Sequence, residues 1–338
     1  MAQQGTIARE YVAKMPHCTP TEIAGLIMDE HPGLFACGES ARSRVRYYMG
    51  KNGAKNRTQC AEGSLLPVLP SEVRILNMDI ETAPMLAFVW GCFKQFVNPD
   101  QLLEPSQVIC WAAKWLGDDT MMFDGMQKDI KRSENVLDFY QYSDERVVRG
   151  MWELFNEADI IVGHNGQAFD TKTLNARWIK HGLPPPSPYR FVDTLSMVKD
   201  TTRLPRNKLE SVGRYYGIGQ KLEHEGFGLW VKCMCGDKEA WAKMRSYNEQ
   251  DVLLDEKAYM LYRPWATRHP NVALHYQDGA RRCIVCGSTA VVEDTAHQAH
   301  TNASVFPSYR CESCGKVMRG RKRLDPTAAI EDRLTHAM

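Results

Sequence analysis

The sequence predicts an α/β protein, a mixed sheet flanked by helices, set between a small N-terminal helical unit and a C-terminal cysteine-rich module. Three observations carry that expectation. The first 60 residues hold short segments of helical periodicity with start and stop signals. From Ser71 onward, strand-like runs come first and then alternate with helices. Two Cys-x-x-Cys pairs lie within residues 283–314. The resulting partition is a helix-turn-helix-like unit at 1–60, a linker at 61–72, an α/β domain at 73–265 and a ribbon at 278–325.

In the helical unit, residues 8–15 form a short periodic segment. Thr19-Pro20-Thr21-Glu22 is a capping box with proline at the first helical position; it opens a helix that runs to about Glu30 and stops at His31-Pro32-Gly33. A third helix, 40–49, ends at Gly50 and carries Arg42, Arg44 and Arg46, with Lys51, Lys55 and Arg57 following. Three short helices with a basic third one suit either DNA binding or a protein-docking module whose arginines face solvent. Residues 51–70 read as a linker.

Residues 73–80, 85–91, 107–116 and 120–123 read as strands, 144–157 as an amphipathic helix and 160–163 as a short, fully apolar strand. A helix at 171–181 is stopped by Gly182 and Pro184-Pro185-Pro186. Residues 191–198 begin as a strand, 208–216 form a helix closed by Gly217, and 238–261 make one long helix.

The 42 Lys+Arg against 41 Asp+Glu leave a net charge of +1, with 43% hydrophobic and 25% charged residues, which excludes a disordered or collagen-like chain. No apolar run approaches the roughly 18 residues of a membrane span, so no membrane partner is expected. The small total hides a sorted distribution: net +2 over residues 1–70, −5 over 71–262 and +4 over 263–338. Eleven cysteines are an odd number, and the first ten residues lack a basic stretch leading into an apolar one, so a reducing compartment is expected. Cys18, Cys37, Cys60, Cys92, Cys110, Cys233 and Cys235 are scattered, and most read as small buried hydrophobes.

Three acidic clusters punctuate the negative centre. Asp79-Ile80-Glu81 ends a strand, where alternation puts both carboxylates on one face; held that close they normally demand a cation, and hard oxygen ligands suit Mg²⁺ or Mn²⁺, although exposed edge strands also carry such pairs. His164-Asn165-Gly166-Gln167-Ala168-Phe169-Asp170 follows an apolar strand and leads into a helix, the place where open α/β sheets bind ligands, although Asp170 alone could be a simple N-cap. Tyr247-Asn248-Glu249-Gln250-Asp251 sits on the long helix, with Tyr247 and Asp251 one turn apart on one face.

In this order, the clusters resemble the DEDD superfamily of 3′→5′ exonucleases, particularly the proofreading domain of family B DNA polymerases and stand-alone phage and bacterial exonucleases. Asp79-Ile80-Glu81-Thr82 matches the first motif, Asn165-x-x-x-Phe169-Asp170 the second and Tyr247-Asn248-x-x-Asp251 the third, with tyrosine in place of the histidine of a sister branch. Val192-Asp193-Thr194-Leu195 and Lys208-Leu209-Glu210 resemble intervening family elements. The resemblance spans about residues 73–262 and implies a ribonuclease-H-like fold and a cytoplasmic site of action. It further implies two Mg²⁺ or Mn²⁺ ions held by Asp79, Glu81, Asp170 and Asp251. Tyr247 would orient the attacking water, and Asn165, Phe169 and Thr82 would contact the terminal nucleotide of a strand, with single-stranded DNA favoured. An RNA or structure-selective nuclease on the same fold is the nearest alternative, and a non-catalytic nucleic-acid-binding adaptor the next.

Cys283/Cys286 and Cys311/Cys314, separated by 24 residues, fit a zinc ribbon, because four thiolates close a tetrahedral structural site. His297 and His300 in the intervening loop are then left as exposed histidines. Arg310, Lys316, Arg319, Arg321, Lys322 and Arg323 cluster around the second pair and favour phosphate contacts, although such ribbons also dock proteins.

Overall fold

The computed structural model describes residues 2–35, 38–49, 73–223, 225–325 and 334. Helices α1 (Ala2–Lys14), α2 (Pro20–Glu30) and α3 (Gly38–Tyr48) close over Ala8, Ile23, Ile27, Phe35, Ala41 and Val45. The capping box forms: the Thr19 hydroxyl accepts from the Glu22 N–H, and the Glu22 carboxylate accepts the Thr19 N–H at 2.7 Å. Helix α1 starts six residues before its expected apolar stripe, because neither proline nor a turn signal interrupts that stretch. Lys51, Lys55, Arg57 and the linker 61–72 lie outside the described residues.

In the centre, β1 (Ile75–Thr82) and β4 (Val108–Trp115) pair antiparallel, and β5 (Met121–Gly125) follows β4 in the same sense. On the other side of β1, β6 (Ile160–Gly163) and β7 (Arg190–Asp193) pair parallel, giving the order β5-β4-β1-β6-β7. The antiparallel half comes from strands with no α-helix between them in the chain and the parallel half from strands separated by α-helices, as the change in sequence pattern foretells. The expected strand 85–91 shrinks to β2 (Leu86–Ala87), which joins β3 (Leu102–Glu104) in a separate two-stranded ladder. Its remaining apolar residues find no partner in the main sheet and stand in solvent.

Helix α4 (Glu145–Glu157) precedes β6, and α5 (Asp170–Lys180) follows it. The strand expected over 191–198 gives way after Asp193, whose carboxylate caps α6 (Thr194–Thr201) by accepting the Ser196 N–H at 3.2 Å. Helix α7 (Leu209–Tyr216) ends at Gly217 in the left-handed conformation (φ 66°), and α9 (Lys238–Tyr262) runs for 25 residues from an Asp237 cap. Helix α8 (Phe227–Met234) was not anticipated. It is too short and apolar to show amphipathic period, and it forms by burying Leu229, Cys233 and Met234.

Alternation on β1 sorts the two faces. Leu76, Met78 and Ile80 join one core with α4 and α5 residues such as Val148 and Leu174, whereas Ile75 joins a second with Leu254, Ala258 and Tyr259 of α9. Asp79 and Glu81 share the parity of Ile75 and therefore face α9.

At the C-terminal end, β8 (Val291–His300), β9 (Val305–Cys311) and β10 (Val317–Arg319) form an antiparallel sheet. It is tied to the segment after α9: Val272 N–H donates to the Ile284 carbonyl at 2.7 Å, and Lys316 Nζ donates to the Ala266 carbonyl at 2.7 Å. Lys316 is thus occupied in joining ribbon to core. Arg46 is similarly engaged, pairing with the buried Glu157 carboxylate at 2.5 Å, which Arg74 also reaches at 3.2 Å. Among the described residues, no helix is long and apolar enough to cross a membrane.

Candidate active site and cysteine cluster

The first two carboxylates come from the end of β1, where Asp79 lies opposite Ala112 and Glu81 opposite Cys110; these small neighbours leave room above the sheet. Beyond Glu81 the register slips, so that Thr82 pairs with Val108 and sits half-buried at the rim.

After β6 the chain turns sharply. Asn165 takes the left-handed conformation (φ 64°), which asparagine tolerates better than most residues, and its N–H is held by the Asp193 carboxylate at 3.1 Å. Gly166 is required by contact rather than by φ: a Cβ there would lie 2.7 Å from the Phe191 ring. This turn leaves Asn165 and Phe169 exposed and starts α5 at Asp170. Asp170 is not the N-cap, a position taken by Phe169. Its buried carboxylate instead reaches across and accepts the Ile80 N–H at 3.2 Å, between the two acids of β1.

Helix α9 supplies the remainder. Tyr247, Asn248, Asp251 and Asp255 occupy one stripe at helical spacing and are all buried. One oxygen each from Asp79, Glu81 and Asp251 lies within 4.8 Å of the others, and Asn248 Nδ2 donates to Asp79 Oδ2 at 2.7 Å. Asp170 stands outside that trio but acts electrically on it, raising the proton affinity of Asp79. Burial, then the neighbouring carboxylates, push Asp79 well above the usual range and Glu81 to about 8; burial raises Asp170 to about 6.

Sequence reasoning missed Lys221, which lies between α7 and α8 with no motif to mark it. Its ammonium pairs with Asp251 and donates to the Tyr247 hydroxyl at 3.4 Å. Burial acts against that charge, but Asp251 more than offsets it, and Lys221 is held protonated. Burial and Asp251 raise the Tyr247 phenol further above its usual value. Behind the trio, His164 Nδ1 meets the Thr194 hydroxyl at 2.9 Å and Nε2 the Asn207 carbonyl at 3.1 Å, while Thr194 bonds Asp255 Oδ1 at 2.5 Å.

The second constellation is the cysteine set. Cys283 and Cys314 sulfurs lie 3.6 Å apart, as do those of Cys286 and Cys311, and all four fall within 4.8 Å without a disulfide. Each pair sits in the same turn: the Gly287 N–H bonds the Cys283 carbonyl at 3.0 Å and the Gly315 N–H the Cys311 carbonyl at 2.8 Å, both glycines being left-handed. His297 bonds Asp294 instead of joining the cluster. Cys233 and Cys235 enter no metal-competent group among the described residues.

No curated protein sequence matches the chain. Among solved structures, the chain is similar to the family B DNA polymerase from the hyperthermophilic archaeon Pyrobaculum calidifontis, at 18% identity over 58% of this chain and a TM-score of 0.41. It spans about a quarter of that polymerase's length (25%). Residues 118–262 match the RNase_H_2 family model of the RNase_H superfamily, and the central domain, with its mixed sheet and flanking helices, is therefore ribonuclease-H-like.

Proposed function

We propose that the protein is a metal-dependent 3′→5′ exonuclease of the DEDD type with a tyrosine in its third motif. It would cleave the terminal phosphodiester of a nucleic-acid strand, single-stranded DNA in the first instance, and release 5′-mononucleotides. The observation that carries this reading is the convergence of Asp79, Glu81, Asp170 and Asp251 from three separate elements onto one buried spot, with Tyr247 beside them.

The donor set suits divalent cations: hard carboxylate oxygens, packed closely enough to raise one another's proton affinity, gain by sharing positive charge. Asp79, Glu81 and Asp251 would hold one ion, and Asp79, with Asp170 acting through water, a second. Such ions supply an activated water and neutralise charge that develops on the phosphate. The protein's own groups do the rest. Tyr247, its phenol held protonated, orients water by hydrogen bonding and does not act as the base. Asn248 fixes the rotamer of Asp79. Asn165 and Phe169, exposed on the turn after β6, and Thr82, half-buried at the strand rim, would contact the terminal nucleotide, Phe169 by stacking. Lys221 has a stem long enough to exchange Asp251 for a phosphate oxygen. For the four cysteines we propose one structural Zn²⁺; the sulfur spacing and the paired glycine turns support a closed tetrahedral site.

Asp79→Ala or Asp251→Ala should abolish release of 5′-mononucleotides in Mg²⁺ or Mn²⁺ while leaving near-UV circular dichroism intact. Full activity in either purified variant would sink the assignment. Comparing end-labelled single-stranded DNA, duplex DNA and RNA separates the exonuclease from an RNA or structure-selective nuclease. Binding without any hydrolysis by the wild type would favour the adaptor.

A further inference from the structure

Between Thr82 and Val108 the chain leaves the sheet at the end of the strand that carries Asp79 and Glu81, and it returns beside that end, because Thr82 pairs with Val108. The projection is held at its base. Ala83 N–H donates to the Gln107 carbonyl at 2.8 Å, the Ser106 hydroxyl to the Ala83 carbonyl at 2.6 Å, and the Tyr140 hydroxyl to the Pro84 carbonyl at 3.0 Å. Further out, the Gln101 side chain donates to the Phe88 carbonyl at 2.8 Å and accepts the Asn98 N–H at 2.9 Å. On this braced frame Phe88, Trp90, Phe93 and Phe96 stand 68%, 96%, 88% and 84% exposed.

Exposed aromatic surface on this scale marks an interaction site. Two features identify its partner. Lys94 is the sole charged residue in 88–98, so the surface is dominated by its aromatic rings and offers phosphates a single cation. Moreover, among the described residues none of the four rings packs against another ring or a cation, so their faces are open. Open ring faces offer stacking, and every nucleobase has a face to stack whatever its sequence. The platform is also continuous in the chain with the carboxylate-bearing strand, and its base lies beside the end of that strand, where Thr82 pairs with Val108.

We propose that the projection 83–107 is a stacking platform for unpaired bases of the strand whose end enters the carboxylate site, with Trp90, Phe93 and Phe96 as its principal rings. The inference rests on the nuclease reading for its substrate, but its test does not depend on hydrolysis. Binding of a labelled deoxythymidine 12-mer and of a base-free sugar-phosphate strand of equal length is measured by anisotropy in EDTA, for the wild-type chain and for Trp90→Ala/Phe93→Ala/Phe96→Ala. The wild type should prefer the base-bearing strand by about tenfold or more, and the variant should bind both strands weakly and alike. The slope of affinity against salt should be unchanged, since no phosphate contact is removed. Equal affinities of the two proteins, no preference of the wild type for bases, or no binding at all would each overturn the platform. So would a loss of self-association in the variant, seen by sedimentation velocity, with strand binding intact, because the patch would then serve a second copy of the chain. If the wild type shows base-dependent binding but releases no nucleotide in Mn²⁺, the exonuclease reading fails and the platform stands.

Discussion

At Thr194 a single hydroxyl hydrogen links the charge states of two residues. If it is donated to Asp255, both nitrogens of His164 must donate, one to Thr194 and one to the Asn207 carbonyl, and the ring is cationic; if His164 is neutral, Asp255 carries the proton instead. Burial decides between them, raising Asp255 to about 7 and lowering His164 to about 4, which favours the neutral pair. The signs follow. Between about pH 4 and 6.5 the unfolded chain gains a proton on histidine that the native chain lacks, so this contribution to stability is lost as pH falls. Over a similar range the native Asp255 keeps a proton that the unfolded chain gives up, so its contribution is lost as pH rises. The two oppose each other in the wild type. Asp255→Asn removes only the second, so the unfolding free energy of the variant, measured in urea, should fall relative to wild type as pH drops from 7 to 5, by at most about 1.4 kcal/mol per pH unit. A constant difference would contradict the shared proton. The four carboxylates and Tyr247 could be singled out in the sequence because their three clusters together resemble the motifs of one family, and the fold brings them side by side. Lys221 and the Asp255–Thr194–His164 chain were not, because only tertiary contact brings residues 30 to 61 positions apart together.

Helix α5 has to be aimed before Asp170 can reach the β1 backbone, and its aim is set by Asp144. That fully buried carboxylate receives Arg177 Nε and Nη2 at 2.7 and 2.6 Å, His181 Nε2 at 2.7 Å and the Val108 N–H at 2.9 Å, locking the start of α4, the end of α5 and β4 together. Asp144→Ala would leave the Arg177 guanidinium buried without its partner and should cost about 3–5 kcal/mol in chemical unfolding, far more than an exposed pair such as Arg149–Glu145. Helices with caps or a strong stripe, α2, α4, α7 and α9, were readable to within one or two residues because their ends are fixed locally. The run 85–91 was misread as a strand because an apolar stretch says nothing about whether a partner strand exists; here the apolar side chains are displayed to solvent.

Across the described residues, the helical unit and the ribbon are both fastened to the central domain, through Arg46 on Glu157 at one side and Lys316 on Ala266 at the other. The basic surplus of the ends is therefore partly spent on docking, which sequence counting could not separate from phosphate binding. On the ribbon, Arg319 lies over the Phe306 ring at 4.4 Å and Arg281 over Tyr309 at 4.3 Å. Deleting residues 280–338 should raise KM for an oligonucleotide more than it lowers kcat; an unchanged KM would deny the ribbon a part in substrate affinity. Helix α9 carries Asp251 near its middle and ends at Tyr262, about 16 Å further along its axis, close to where the ribbon is fastened. On the proposed exonuclease reading, a rod of fixed length between the carboxylate site and a basic module would make the protein a measuring device. A strand long enough to touch both would be held while it is shortened, and one trimmed below that span would lose its second hold. Digestion by the intact chain should then slow at a characteristic short oligonucleotide, a stopping length that disappears when the ribbon is removed.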